Sequence, residues 1–175
     1  MNMKRRSWLQ GALLVPLAPV HAAAAEPGYQ VTPWPAGRAL PPLQGADLAG
    51  RPWRMADLRG RAVLLNFWAT WCPLCRAEMP TLQQLAQLYG PGELAVVAMN
   101  FKQSGAAVRT FVKSTALALP VVLDPDGANA RALDVHVFPT TLLIAADGTP
   151  RFVVRGELDW TGREADRLVS QLVAR

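Results

Sequence analysis

The hydrophobic positions of residues 43–175 alternate between two patterns. Runs in which nearly every residue is apolar stand at 62–68, 93–100 and 121–123, which is typical of strands that are covered on both faces. Between these runs, apolar residues recur every three or four positions, as on one side of a helix. Strands that alternate with helices predict an α/β fold with a central mixed sheet flanked by helices. We predict helices over residues 73–89, around 108–115, over 128–133 and after Thr161.

Two hairpins are predicted beside the longer strands. Residues 43–58 indicate a short N-terminal hairpin, followed by a turn of helix. Residues 140–155 indicate a second hairpin around the turn A-D-G-T. Thr161 and Glu164 have the spacing of a capping box for the last helix. The apolar face of that helix predicts burial of Ala165, Leu168, Val169, Leu172 and Val173.

The junction between the run at 62–68 and the first long helix contains the only two cysteines, Cys72 and Cys75, in the order C-P-L-C. Pro73 is favoured in the first turn of a helix, where its missing N–H costs nothing. Cys72 is therefore predicted at or next to the N-cap, where unpaired N–H groups and the helix dipole stabilise a thiolate. The thiolate is the nucleophile of disulfide exchange, and Cys75 can attack the mixed disulfide that Cys72 forms. This arrangement predicts a redox-active dithiol.

Two other roles for the cysteine pair agree less well with the sequence. A structural zinc site needs about four nitrogen or sulfur ligands, and beyond the cysteines the chain offers only His21 and His136. A structural disulfide across so short a loop adds little stability, because the entropic gain grows with loop length. We therefore prefer the redox role.

Residues 1–25 have the pattern of an export signal. Basic residues at 4–6 precede a mostly apolar stretch at 9–20, and small residues up to Ala25 suit a signal-peptidase site. We predict cleavage after Ala25. The text R-R-S-W-L also resembles a twin-arginine signal, with Trp in the place where Phe is usual. The alternative is an uncleaved membrane anchor, but prolines and a histidine interrupt the stretch, which is shorter than the roughly 20 residues of a spanning helix.

Residues 26–42 carry five prolines and little periodicity, which predicts an extended linker or arm before a domain at 43–175. The chain has 18 Lys and Arg against 13 Asp and Glu, and without the three basic residues of the leader the net charge is +2. No basic patch with interleaved aromatic residues is visible, so nucleic-acid binding is not indicated. Export together with a lone C-x-x-C favours redox chemistry in the periplasm.

The chain resembles the thioredoxin-like superfamily, and within it the TlpA/ResA branch of exported thiol:disulfide oxidoreductases. The resemblance rests on V-L-L-N-F-W-A-T-W-C-P-L-C-R-A-E-M-P, on L-D-P-D-G and on V-F-P-T-T-L-L-I-A-A-D-G, in the family's order. It implies a thioredoxin-like fold in which Cys72 and Cys75 form a reversible disulfide. It also implies that Phe138–Pro139 is a cis peptide bond that faces the pair across the sheet.

The same resemblance implies roles for side chains around the pair. Glu78 matches an acidic residue that tunes the cysteines in ResA-like members, and one helical turn past Cys75 its carboxyl can accept or relay a proton. A solvated surface glutamate is the alternative. Asn66 stands where ordinary thioredoxins carry a buried acid, so proton handling is expected to fall to Glu78 or water. The residues expected to contact an extended substrate segment are Trp71, Pro73, Phe138 and Pro139.

As a function, the resemblance implies an exported reductase that acts on disulfides of periplasmic proteins. Apocytochromes c and copper-handling proteins are the candidate substrates. No G-x-G-x-x-G follows a predicted strand, so no nucleotide or flavin cofactor is expected. A membrane electron donor of the DsbD or CcdA kind would have to return the electrons.

A copper-binding chaperone of the Sco kind, which shares the fold, is the alternative function. Soft thiolates and an imidazole suit Cu(I), and Cys72, Cys75 and His136 are the residues that could supply them. The C-x-x-C spacing is narrower than the pair usual in that family, which favours the redox function. A peroxiredoxin is disfavoured because its lone cysteine after Pro-x-x-x-Thr is absent.

Overall fold

The computed structural model describes residues 28–173. Within this part of the chain, eight strands form one mixed sheet in the order β1-β8-β7-β4-β5-β6-β2-β3. The strands are β1 Tyr29–Pro33, β2 Gln44–Asp47, β3 Pro52–Arg54, β4 Ala62–Trp68, β5 Leu94–Phe101, β6 Val121–Asp124, β7 Thr140–Ile144 and β8 Pro150–Gly156. The helices are α1 Pro73–Tyr89, α2 Gly105–Thr115, α3 Ala128–Ala132 and α4 Arg163–Val173, with a 3-10 turn at Met55–Leu58. The mixed sheet, its flanking helices and both hairpins confirm the predicted architecture.

Strand β4 lies at the centre of the sheet, parallel with β5 and antiparallel with β7. All seven of its residues are buried, as the apolar run predicts, because the sheet is covered on both faces. Phe67 at its carboxyl end pairs with Thr140 at the beginning of β7. The chain therefore leaves the carboxyl end of β4 toward Cys72, next to the residues where β7 begins.

The alternation of side chains along β4 divides the core into two clusters. Leu64 and Trp68 belong to the cluster that contains residues of α1, α2 and α4. Val63, Leu65 and Phe67 belong to the cluster that contains residues of α3 and the 3-10 turn. Four of the five residues predicted on the apolar face of α4 are buried in the first cluster, namely Ala165, Leu168, Val169 and Leu172.

The N-terminal hairpin is joined to the sheet through a buried polar cluster at the turn D-P-D-G. The carboxylate of Asp124 accepts from the backbone N–H of Asn129 (3.1 Å) and of Ala130 (3.0 Å). Asn129 in turn accepts from the backbone N–H of Gln44 (3.1 Å) and donates to its carbonyl (2.9 Å). These buried polar groups have partners, so their hydrogen bonds offset the cost of removing them from water while the cluster holds β2 beside β6.

The segment before residue 43 contributes a strand, which the sequence did not predict. Strand β1 pairs antiparallel with β8 at the edge of the sheet. Gly156 permits this close approach, since its φ is +94° and a Cβ there would lie 2.2 Å from the carbonyl oxygen of Gly28. The domain boundary at residue 43 stays a prediction, and the predicted leader at 1–25 lies outside the described residues.

The predicted capping box at the start of α4 is wrong. The hydroxyl of Thr161 donates to Asp159 (2.6 Å), and the carboxylate of Glu164 pairs with Arg167 (2.7 Å). Each member of the box therefore has a different local partner. Among the helices of residues 28–173, none is long and apolar enough to cross a bilayer.

Candidate active site

Cys72 lies at the N-cap of α1, as predicted. Its Sγ accepts a hydrogen bond from the backbone N–H of Cys75 (3.1 Å), and Pro73 occupies the first turn of the helix. A disulfide joins the two cysteines, whose Cα atoms are 5.3 Å apart, and both residues are buried. The N-terminus of α1 thus directs a backbone N–H and the positive end of its dipole at the Cys72 sulfur. This environment favours the thiolate once the disulfide is reduced.

Exposed apolar side chains accompany the disulfide. Trp71 is 62% exposed, and its ring meets that of Phe138 edge to face with the centroids 5.9 Å apart. The Phe138–Pro139 bond is cis, as the resemblance implies. Pro73 is exposed, whereas Pro139 is buried directly before β7. Two further exposed apolar residues, Leu74 and Val137, were not predicted as substrate contacts.

Trp71, Leu74, Val137 and Phe138 are referred to below as the apolar rim. The contact between Trp71 and Phe138 joins the segment before Cys72 to the segment before β7. Aromatic rings with an exposed edge supply a large contact area at low conformational cost, as at other protein interfaces. The apolar rim is therefore suited to contact a partner protein.

Glu78 lies one turn beyond Cys75 on α1 and is 1% exposed. This burial excludes the alternative of a solvated surface glutamate. Its Oε1 accepts a hydrogen bond from Asn66 Nδ2 (2.6 Å). Its Oε2 accepts from Trp160 Nε1 (3.2 Å) and from the backbone N–H of Leu158 (3.4 Å). Asn66, Leu158 and Trp160 thus form a carboxyl cage of three uncharged donors.

Burial raises the pKa of Glu78 from its ordinary value of 4.5 to about 7. Removal of the carboxyl from water disfavours its charged form, and this cause outweighs the hydrogen bonds from Trp160, Asn66 and Leu158, which lower the pKa. The negative charge of Glu157 adds to the increase. Near neutral pH the carboxyl is therefore poised to take up a proton and to release it.

Asn66 connects the carboxyl cage to β7. Its Nδ2 also donates to Thr141 Oγ1 (2.9 Å), while its Oδ1 has no hydrogen-bond partner among the described residues. An amide carries a donor at one end and an acceptor at the other. Asn66 can therefore bond to both forms of Glu78. Its Nδ2 donates to the carboxylate, and after rotation of the amide its Oδ1 can accept from the protonated acid.

Three members of this network were not predicted as site residues: Thr141, Leu158 and Trp160. The bonds from Leu158 and Trp160 to Glu78 span 80 and 82 residues. The only local signal is L-D-W between β8 and α4, which by itself indicates core packing. Contacts between residues so far apart depend on the fold, and no periodic pattern in the sequence indicates them.

His136, the proposed third copper ligand, is exposed and lies 2.7 Å from the carboxylate of Asp134. Within residues 28–173, no three His, Cys, Asp or Glu side chains come together as a metal site. The geometry therefore does not favour the copper-chaperone alternative.

A family model, curated relatives and solved structures all match this chain, and they agree on its family. The Redoxin family model matches residues 33–169. Thiol-disulfide oxidoreductase ResA of Bacillus thuringiensis subsp. konkukian is 34% identical over 121 residues, which cover 69% of this chain and 70% of that protein.

Two solved structures share the fold. A secreted disulfide oxidoreductase of Mycobacterium tuberculosis, homologous to E. coli DsbE, matches with a TM-score of 0.65 and 29% identity, over 74% of this chain and 96% of that one. A secreted thiol-disulfide isomerase of Corynebacterium glutamicum matches with a TM-score of 0.72 and 25% identity, over 83% and 92% of the two chains. The fold is thus thioredoxin-like, as the resemblance implies. The chain belongs to the Redoxin family, in which it is a thiol:disulfide oxidoreductase of the TlpA/ResA type.

Proposed function

We propose that Cys72 and Cys75 form the catalytic dithiol of an exported protein-disulfide reductase. The observation that carries this proposal is the position of Cys72 at the N-cap of α1, where its sulfur accepts the N–H of Cys75 at 3.1 Å. A sulfur in this place is stabilised as the thiolate that attacks disulfides. Cys75 is fully buried behind it, which suits the residue that resolves the mixed disulfide.

The exchange proceeds in two steps. The Cys72 thiolate attacks one sulfur of a substrate disulfide, so that a Cys72–substrate bond forms and the other substrate sulfur leaves as a thiolate. The Cys75 thiolate then attacks Cys72 Sγ, which forms the Cys72–Cys75 disulfide and releases the second substrate sulfur. Two electrons pass from the dithiol to the substrate, and Cys75 must lose its proton before the second step.

Glu78 is the residue proposed to take that proton. It follows Cys75 by one helical turn, and residues at this spacing are neighbours on a helix. Its pKa of about 7 matches the task of a proton acceptor near neutral pH. The uncharged carboxyl cage supports this role, because no cation there holds the carboxylate permanently ionised.

Substrate is proposed to bind along the apolar rim and the cis bond. Trp71 and Phe138 supply exposed aromatic surface. Pro73 follows Cys72, and Pro139 directly precedes β7. An extended substrate segment laid along Phe138 would present its disulfide to Cys72, as in other cases of strand addition.

Export and electron supply complete the proposal. The leader pattern at 1–25 supports export to the periplasm, and both solved structures described above are secreted proteins. In an oxidising compartment a reductase needs electrons from elsewhere, so a membrane donor of the DsbD or CcdA kind is proposed to reduce the Cys72–Cys75 disulfide. Apocytochromes c and copper-handling dithiol proteins are the proposed substrates.

Cysteine variants test the assignment of the two sulfurs. Reduced protein is incubated with insulin, and adducts are identified by mass spectrometry without added thiol. Cys72→Ala is expected to lose all exchange, because the attacking thiolate is gone. Cys75→Ala is expected to accumulate a mixed disulfide between Cys72 and insulin, and the double variant is the control. A Cys75→Ala protein that forms no adduct would contradict the order of attack.

A further inference from the structure

A second polar network lies beside the loop that leads to Cys72. The side chain of Gln103, just after β5, makes three hydrogen bonds. Its Oε1 accepts from the backbone N–H of Thr70 (2.8 Å) and from Asn100 Nδ2 (3.0 Å). Its Nε2 donates to Thr70 Oγ1 (2.7 Å). One side chain therefore joins the end of β5 to the loop after β4, across 33 residues.

Thr70 stands two residues before Cys72, in the turn that connects β4 with α1. The turn is closed by a bond from Cys72 N to the carbonyl of Ala69 (3.1 Å). Gln103 bonds to both the backbone N–H and the hydroxyl of Thr70, so the bonds restrain the backbone and the side chain of this residue. Thr70 lies in the short segment between the end of β4 and the beginning of α1, so these bonds restrain the path of the chain into the helix.

The backbone before Gln103 adopts an unusual conformation. Lys102 has a φ of 50°, in the left-handed region that residues with a Cβ rarely occupy. Its N–H donates to the carbonyl of Asp124 (3.0 Å), which fixes this conformation from the neighbouring strand. Such outliers persist where the surrounding structure determines them and are frequent at functional sites. Here the conformation turns the chain directly before Gln103, whose side chain bonds to Thr70.

Asn100 connects Gln103 with the core. It is fully buried on β5, in register with Trp68 of β4. Its Oδ1 has no hydrogen-bond partner among the described residues, so the bond from Nδ2 to Gln103 orients the amide. Gln103 is thereby supported from the sheet as well as from the loop.

We propose that Gln103 is a positioning residue for Cys72. In the oxidised protein the disulfide also restrains the loop, but in the reduced protein this restraint is absent. The two bonds from Gln103 to Thr70 then keep the Cys72 sulfur at the N-terminus of α1, where the thiolate is stabilised. This role rests on the proposed dithiol cycle, and it would make the enzyme ready for attack before substrate binds.

Gln103→Leu removes all three bonds with little change in size, and Gln83→Leu is the matched control. Gln83 is also half-buried and bonds through its Oε1 to a backbone N–H, that of Ala118, but on the other half of α1. Two properties are measured on the reduced proteins: the exchange of the Thr70 amide proton by NMR, and the pKa of the Cys72 thiol by thiolate absorbance. Gln103→Leu is expected to speed Thr70 amide exchange at least tenfold and to raise the Cys72 pKa. Gln83→Leu is expected to change neither property.

Gln103→Glu provides a rescue. Its carboxylate can still accept from Thr70 N–H and Asn100, and the Thr70 hydroxyl can turn to donate to it. Thr70 amide protection is therefore expected to stay within threefold of the wild type. Wild-type values of both properties in Gln103→Leu would overturn the positioning role. Failure of the proposed function would appear separately, as absence of insulin reduction by the wild-type protein.

Discussion

The two faces of β4 are equally buried but chemically different. Val63, Leu65 and Phe67 point into a cluster of apolar side chains. On the opposite face, Asn66 stands between Leu64 and Trp68 and bonds to the carboxyl of Glu78. One strand therefore supports the fold with one face and carries a titratable site on the other.

Burial has a different consequence on each face of β4. On the apolar face, removal of carbon from water contributes stability directly. On the face toward α1, burial of Glu78 costs stability whenever the carboxyl is ionised. The same removal from water raises its pKa to about 7. We expect changes on the first face to affect unfolding alone, and changes on the second to affect the titration of the site as well.

Phe67→Ala is expected to have the largest effect on stability. Phe67 is fully buried on the apolar face, and truncation of a buried Phe costs about 3–5 kcal/mol, because transfer and cavity terms add. Urea unfolding of the oxidised protein measures this loss. The pKa of Glu78 in the folded variant, followed by carboxyl NMR, should stay at its wild-type value. A shifted pKa would show that the two faces are not separate.

Glu78 is expected to make stability depend on pH. Its pKa is raised in the folded protein, so the folded state binds the proton more tightly than the unfolded chain does. The contribution is therefore greatest below pH 4.5, falls as the pH rises toward 7 and is constant above. The fall amounts to about 3 kcal/mol, because one pH unit of pKa displacement corresponds to about 1.4 kcal/mol.

Glu78→Gln is the control for this pH dependence. Gln is neutral at every pH, so the difference in unfolding free energy between the wild type and the variant should change by the stated amount between pH 4.5 and 8. Asn66 can accommodate the change, since its unpaired Oδ1 can accept from the new amide. A difference that is independent of pH would place the pKa of Glu78 at its ordinary value.

Asn66→Ala is expected to have a smaller effect of the same kind. The change leaves Oε1 of Glu78 without its donor, and a buried polar group without a partner costs about 1–3 kcal/mol. Because the lost hydrogen bond stabilises the carboxylate, the pKa of Glu78 should rise further. The same substitution in the Glu78→Gln background separates this coupling from the loss of packing. Equal effects in both backgrounds would contradict it.

The elements nearest to the cysteines were predictable because their signals are local. The bounds of β4, the N-cap position of Cys72 and the C-terminal hairpin follow from short stretches of dense pattern. Strand β1 has no such pattern: two of its five residues are exposed and it ends at Pro33. Its pairing depends instead on Gly156, more than 100 residues away.

The carboxyl cage was predictable only in part. Glu78 was identified through the family resemblance, supported by its spacing from Cys75, but its burial and its partners Leu158 and Trp160 depend on the loop between β8 and α4. The capping box failed for a related reason. The spacing of Thr161 and Glu164 fits the motif, but Thr161 bonds to Asp159 and Glu164 pairs with Arg167 instead.

The reduction potential of the Cys72–Cys75 couple tests the central claim most directly. It is measured by equilibration in dithiothreitol buffers, with tryptophan fluorescence as the readout, since Trp71 lies next to Cys72. For a reductase that depends on an external electron donor, we expect a potential near that of thioredoxin, about −270 mV. A potential near that of DsbA, about −120 mV, would make the protein a disulfide donor and contradict the proposed direction.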